Sequence, residues 1–165
     1  MNVLLNRYSV REFTDQQVTD DQINKMLKSA MQAPSAKNQQ PWEFIVIDNK
    51  ELLKKLSQTS KGAWMLQNVT KAIAVIMKES DKSPHMRPQD CAAATQNILL
   101  EAVQLGLGAV WIGIHPLEER YTYVNNLLNV TKGTTFSLIA IGYPKAKKEV
   151  TLRYDVTRVH HNRME

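Results

Sequence analysis

The amino-acid sequence predicts a layered α/β or α+β domain, with helices packed on a central sheet. Three observations carry this expectation. Helical and extended patterns alternate along the chain, as layered folds require. Residues 72–77, AIAVIM, are almost continuously apolar, as in a strand covered on both faces. The length of 165 residues suits one domain whose core hides roughly two-thirds of the unfolded surface.

The elements follow in order. NRYSVREF, near the start, suits an extended segment. Thr19-Asp20-Asp21-Gln22 matches a capping box, with Gln22 three residues after Thr19. Ile23, Met26, Leu27, Ala30 and Met31 then recur at helical spacing. That helix stops before Pro34, because a residue preceding proline is pushed out of the helical region. Residues 42–47 predict a strand. Asp48 with Glu51 is placed to cap a short helix carrying Leu52, Leu53 and Leu56. The apolar run at 72–77 is the next strand. Pro88 suits the first turn of a long helix through about Leu105, with Ala94, Ile98, Leu99 and Ala102 inward. Gly106 and Gly108 end it, and residues 109–112 form another strand. Pro116 opens a helix whose Glu118 and Glu119 suit the positive end of the dipole. Residues 136–141 form the last strand, broken by Gly142-Tyr143-Pro144. The whole of 1–165 is expected to be one domain, with 145–165 as a C-terminal arm. That arm is basic yet carries Val150, Leu152, Tyr154, Val156 and Val159, too many apolar residues for a disordered tail.

Composition narrows the function classes. A net charge of +5 does not demand nucleic acid and suits a phosphorylated small molecule equally well. Cys91 is the one cysteine, so no internal disulfide forms, in keeping with a reducing compartment. No apolar run approaches the roughly 20 residues of a membrane span. MNVLLNRYSVREF is too short in its apolar patch for a signal peptide, so a cytoplasmic protein is expected.

Three stretches hold chemistry. In NRYSVREF, alternation puts Arg7, Ser9 and Arg11 on one face, with Tyr8 and Val10 opposite. Two guanidinium forks around a hydroxyl suit a phosphate; the plainer alternative is a solvated charged turn. In APSAKNQQPWEFIVI, Pro34, Ser35, Asn38 and Gln40 supply groups that suit a flat heterocycle, since an amide offers donor and acceptor together. A polar helix-to-strand connection would look similar. In GLGAVWIGIHP, the glycines follow a helix and open a strand, the reverse of a dinucleotide-binding fingerprint. Gly113, at the far end of that strand, permits close approach of a ligand to backbone.

R-x-S-x-R, P-S-A-x-N-x-Q-P-W, G-L-G-A-V-W-I-G and I-G-Y-P stand in the order found in the FMN-dependent nitroreductase family. The chain resembles a short member of it from about Arg7 to Pro144. The resemblance implies an α+β, three-layer fold with a central, mainly antiparallel sheet flanked by helices. It implies a homodimer with FMN at the interface and the C-terminal arm packed on the partner subunit. Arg7, Tyr8, Ser9 and Arg11 then match the phosphate, ribityl or pyrimidine-edge segment. Pro34, Ser35, Ala36, Asn38 and Gln40 match the loop lent by the second subunit. Gly113 and Ile114 match the backbone beside flavin N5. A basic residue of the arm completes the phosphate site: Arg153 first, Lys147 or Lys148 as alternatives. The implied activity is ping-pong transfer from NADH or NADPH through FMN to a nitroaromatic, a quinone or a similar acceptor. Arg11, or Lys61, would steady charge on the reduced flavin, and no catalytic side chain is required. Different flavin chemistry on the same fold (dehalogenation or flavin degradation) and a non-catalytic FMN-binding protein are the alternatives.

Other residues read more plainly. His160-His161 lacks further ligands at metal spacing, so no metal is expected. His85 lies in loop 80–88, a lid or simply a loop. His115 is beside the N5 segment and within reach of substrate. Asp90 is expected to face solvent or cap its helix. Trp64, Met65 and Trp111 fit core or interface, and Cys91 a buried thiol.

Overall fold

The computed structural model describes residues 2–164. Strands Trp42–Ile47 (β1), Lys71–Met77 (β2), Gly108–Gly113 (β3) and Thr134–Gly142 (β4) form one sheet. Their spatial order is β1-β2-β4-β3, and every pairing is antiparallel. The fold is therefore α+β. Its helices are Val3–Asn6 (α1), Asp20–Met31 (α2), Lys50–Leu56 (α3), Arg87–Gln104 (α4) and Glu118–Leu128 (α5).

Period-two alternation splits the core into two layers. Ile73, Val75 and Met77 of β2, with Ile139 and Ile141 of β4, pack under α2 and α4. Ala72, Ala74, Ile76, Leu138 and Ala140 face α3 and α5 across the other side. Ile23 and Met26 fasten α2 to its layer, each burial contributing about 1.5–3 kcal/mol. Both faces of β2 and β4 are covered, as the unbroken apolar run predicts.

Local chemistry sets the ends. The capping box is present: Gln22 N–H donates to Thr19 Oγ1 at 3.2 Å, and Thr19 N–H to Gln22 Oε1 at 3.0 Å. Asn49 caps α3, not Asp48, accepting from Leu52 N–H at 3.0 Å. Asp48 is drawn instead to Lys71, which Asp20 also meets at 2.9 Å. Helix α4 closes in a Schellman motif, with Gly106 left-handed at φ 73° and Leu107 N–H donating to Ala102 O at 2.8 Å. Gly108 belongs to β3 rather than to the helix end. Pro116 lies two residues ahead of α5, which Leu117 precedes. No helix among the described residues is long and apolar enough to cross a membrane. Beyond Pro144 the surface is apolar in places: Leu152, Tyr154, Val156 and Val159 are exposed.

Candidate functional site

The N-terminal segment is strapped across the outer edge of the sheet. Ser9 bridges Ala109 in parallel, and Val10 N–H donates to Ala109 O at 3.1 Å. Val10 and Phe13 plug into the core on the α3/α5 side. Burying them turns Ser9 and Arg11 outward, while Arg7 and Tyr8 are both half-buried. Thr14 N–H donates to Tyr143 O at 2.8 Å and Lys145 N–H to Glu12 O at 3.0 Å, so the strap is also stitched to the chain after β4. Tyr8 completes that seam. Its hydroxyl donates to Ala146 O and accepts from Lys148 N–H, both at 3.2 Å. Through these two bonds Tyr8 anchors the strap.

Arg7 and Arg153 line one cleft of about 170 Å³ with Leu4, Leu5, Thr151 and Leu152. No carboxylate lines it, and among the described residues neither arginine has an ion-pair partner. Two like charges held together without a counter-ion repel, so the cleft favours an anion. Arg11 is not in it. It lines a separate groove of about 750 Å³ with Lys145, Trp64 and Gln67. The turn Lys61–Asn68 forms one wall through Trp64, Gln67 and Asn68. Arg7 and Arg11 thus line different clefts, and Arg153 is the cation that shares the cleft of Arg7.

The amide-rich loop has a reason for its composition. Lys37, Asn38 and Gln40 all lie in the left-handed region, at φ 52°, 50° and 48°. For residues with a β-carbon this costs about 1–2 kcal/mol each. Asp90 offsets it. Its Oδ1 accepts from Ala36 N–H at 3.0 Å and its Oδ2 from Gln39 Nε2 at 2.7 Å. Such charge-assisted bonds are worth about 1.5–3 kcal/mol each. Asp90 is only 6% exposed. The expectation that it faces solvent or caps its helix is overturned, because its acceptors are taken by a loop over 50 residues away. Gln39 also donates to Ser83 O at 2.9 Å and accepts from Ser83 N–H at 3.2 Å. Ser35 Oγ accepts from Gln40 N–H at 3.0 Å, and Asn38 Oδ1 from Gln40 Nε2 at 3.1 Å. Pro34, Asn38 and Gln40 remain exposed, and Ser35 and Ala36 half-buried.

At the far end of β3, Gly113 is exposed, and a β-carbon added there would meet nothing within 4 Å. Its carbonyl accepts from Arg120 Nη1 at 3.0 Å. Ile114 has a fully buried side chain, and its N–H shares the Phe136 carbonyl with His115 N–H, at 3.3 and 3.0 Å. The His115 ring stacks on Phe136 at 6.0 Å, and Trp111 packs on Phe136 from 5.7 Å. Nδ1 of His115 is buried without a hydrogen-bond partner. Burial, then the Arg87 cation, lower the His115 pKa, favouring neutral imidazole. Arg87 in turn donates to the carbonyls of Pro84 and Lys78, each at 3.0 Å, and meets the Glu79 carboxylate. With the Gln39–Ser83 pair, these bonds clasp loop 80–88 at both ends. Trp64 is 42% exposed, Met65 is buried, and Cys91 is fully buried with its thiol pushed up to about 12. Among the described residues no three His, Cys, Asp or Glu groups gather at metal-binding distance.

The family model described as "Nitroreductase family" matches residues 4–73 and 66–143. The chain belongs to the nitroreductase family. An Archaeoglobus fulgidus relative with the provisional name NADH dehydrogenase/NAD(P)H nitroreductase is 42% identical over 169 residues, covering 99% of this chain and 97% of its own. A Clostridium acetobutylicum structure, provisionally an NADH oxidase, superposes with TM-score 0.94 at 41% identity, covering 99% and 100% of the two chains. An FMN-dependent nitroreductase from Clostridium difficile superposes with TM-score 0.91 at 32% identity, covering 98% of each chain. The nitroreductase family match stops at residue 143, so Arg153 lies outside it. Asp90, Gln39, Ser83 and Arg120 escape sequence reasoning. Only Gln39 carried a signal, as the middle amide of a run whose neighbours were singled out.

Proposed function

We propose that the protein is an NAD(P)H-dependent flavin oxidoreductase that holds FMN between the subunits of a cytoplasmic homodimer. The observation that carries this is the cleft of Arg7 and Arg153, two cations without a carboxylate. Membership of the nitroreductase family and the 32% identity with an FMN-dependent nitroreductase support it. The residues fit the group: a cation pair for a phosphate, an outward hydroxyl at Ser9, a glycine with a clear side at Gly113, and exposed amides at Asn38 and Gln40.

When bound, FMN supplies a two-electron centre that takes hydride from NADH or NADPH and yields the electrons to a nitroaromatic, a quinone or a similar acceptor. Arg7, Arg153 and Ser9 hold the phosphate end. Arg11, from its neighbouring groove, places positive charge toward the pyrimidine edge. The bare side of Gly113 admits a ring against backbone, and the weaker-bonded N–H of Ile114 is the donor nearest to it. Pro34, Ser35, Ala36, Asn38 and Gln40 line the cofactor of the other subunit. Residues 145–165 form an arm on that subunit, covering its exposed Leu152, Tyr154 and Val156. No side chain is needed as acid or base.

Titration of purified protein with FMN, followed by anaerobic addition of NADH and then NADPH, tests this. The expected result is a bound yellow chromophore that bleaches with a nicotinamide and recovers with a nitro compound or quinone. A dimer that takes up no FMN overturns the assignment; bound FMN that neither nicotinamide reduces leaves a carrier, not an enzyme.

A further inference from the structure

We propose that Asp90 is a positioning residue for the cofactor: through Gln39 it fixes the backbone shape in which loop 34–40 presents Ser35 and Asn38. This rests on the reading that the loop lines FMN.

The donors and acceptors match one for one. One carboxylate oxygen of Asp90 takes the Ala36 N–H, and the other takes one amide hydrogen of Gln39. The Gln39 amide also donates to Ser83 O, while its oxygen accepts from Ser83 N–H. Its carboxamide therefore cannot flip without setting like groups against each other at Ser83 and at Asp90. Ala36 and Gln39 are pinned at the two ends of a three-residue turn, and Lys37 and Asn38 between them have only the left-handed path left. That path carries the Asn38 side chain outward, where Gln40 Nε2 meets its oxygen. Asp90 is buried and Gln39 and Ser83 are half-buried, and the hub joins α4, the cofactor loop and segment 80–86 into one unit. The polar atoms of the hub are spent on one another, so it acts on FMN through the loop.

Asp90→Asn tests this at almost unchanged volume. It replaces an acceptor by a donor that faces either Ala36 N–H or the Gln39 amide. Full-length dimer is compared by hydrogen exchange and by FMN titration with visible circular dichroism of the bound flavin. Exchange at the Ala36 and Gln40 amides is expected to rise about tenfold or more, FMN affinity to fall about tenfold, and the flavin spectrum to shift. Gln39→Met is expected to do the same, and serves if Asp90→Asn does not fold. Gln39→Glu sets two carboxylates together; adding Asp90→Asn restores a donor between them and is expected to recover part of the affinity. Unchanged exchange at residues 36–40 overturns the proposal, as does faster exchange with unchanged FMN affinity and spectrum. Asn38→Gly, which keeps the left-handed backbone, separates the underlying reading. If it leaves FMN binding unchanged the loop does not line the flavin, whatever Asp90 does to its exchange.

Discussion

Val10 rests directly on Gly108: a β-carbon on that glycine would stand 2.6 Å from Val10 Cγ2. Gly142 makes the same room for Phe13, at 2.8 Å from its Cδ1. Gly108→Ala should therefore lift the strap, cost about 1–3 kcal/mol as overpacking does, and lower FMN affinity because Ser9 moves with Val10. Gly113→Ala is the contrast. It meets no neighbour, so the melting temperature of the apoprotein should hold while FMN affinity falls. Thermal melts and cofactor titration of both variants check this; equal effects on both quantities in both variants would refute it.

Arg7→Ala and Arg153→Ala should each weaken FMN binding by about 1.5–3 kcal/mol, the range for a hydrogen bond to a charged group. Neither should destabilise the apoprotein, since among the described residues neither arginine has an ion-pair partner to lose. Rising salt should narrow the gap from wild type. Calorimetric titration at two ionic strengths measures all three; an Arg153 variant that binds as wild type hands the phosphate to another residue of the arm.

His115 should make stability depend on mild acid. Its pKa in the folded protein is held below the ordinary value of about 6.5 by burial and then by Arg87. Between those two values the unfolded chain binds the proton that the folded chain resists. Stability from this group is thus complete above about pH 6.5 and is lost as pH falls toward the folded value. Urea midpoints at about pH 5 and about pH 7.5 should differ less in His115→Gln than in wild type. The same pH slope in both proteins would contradict this.

Cys91 should be inert until the chain unfolds. The thiol is fully buried, donates to Pro41 O at 3.4 Å, and sits near 12 through burial first and the Asp90 charge second. Iodoacetamide at about pH 8 should leave the folded protein unlabelled and label it fully in denaturant, where the thiol returns to about 8.5. Labelling of the native protein would show that α4 opens locally.

The strands were legible because apolar periodicity reports directly on burial. The capping box and the stop before Pro34 were legible because they depend on neighbours within four residues. Asp48 and Asn49 were not separable by such rules: either side chain can cap α3, and the choice falls to Lys71, 23 residues away, which draws Asp48 aside. Asp90 failed for the same reason. A carboxylate in a first helical turn reads as a dipole partner, and nothing nearby reveals that Ala36 and Gln39 arrive to use it. The outward turn of Ser9 and Arg11 was readable, but which cation shares a cleft with Arg7 depends on where the arm lies, and no local pattern encodes that. The family motifs supplied what periodicity lacks, the family to which the chain belongs.

The seam between Tyr8 and the backbone of Ala146 has a consequence for how the protein is made. Its two halves are 138 residues apart in the chain. At synthesis rates of about 5–20 residues per second, the segment bearing Arg7 and Ser9 leaves the ribosome many seconds before Ala109, Tyr143 and Ala146 exist to receive it. The earliest-translated of the proposed cofactor contacts are thus the last to find their places, and a nascent chain stalled before residue 140 should take up no FMN.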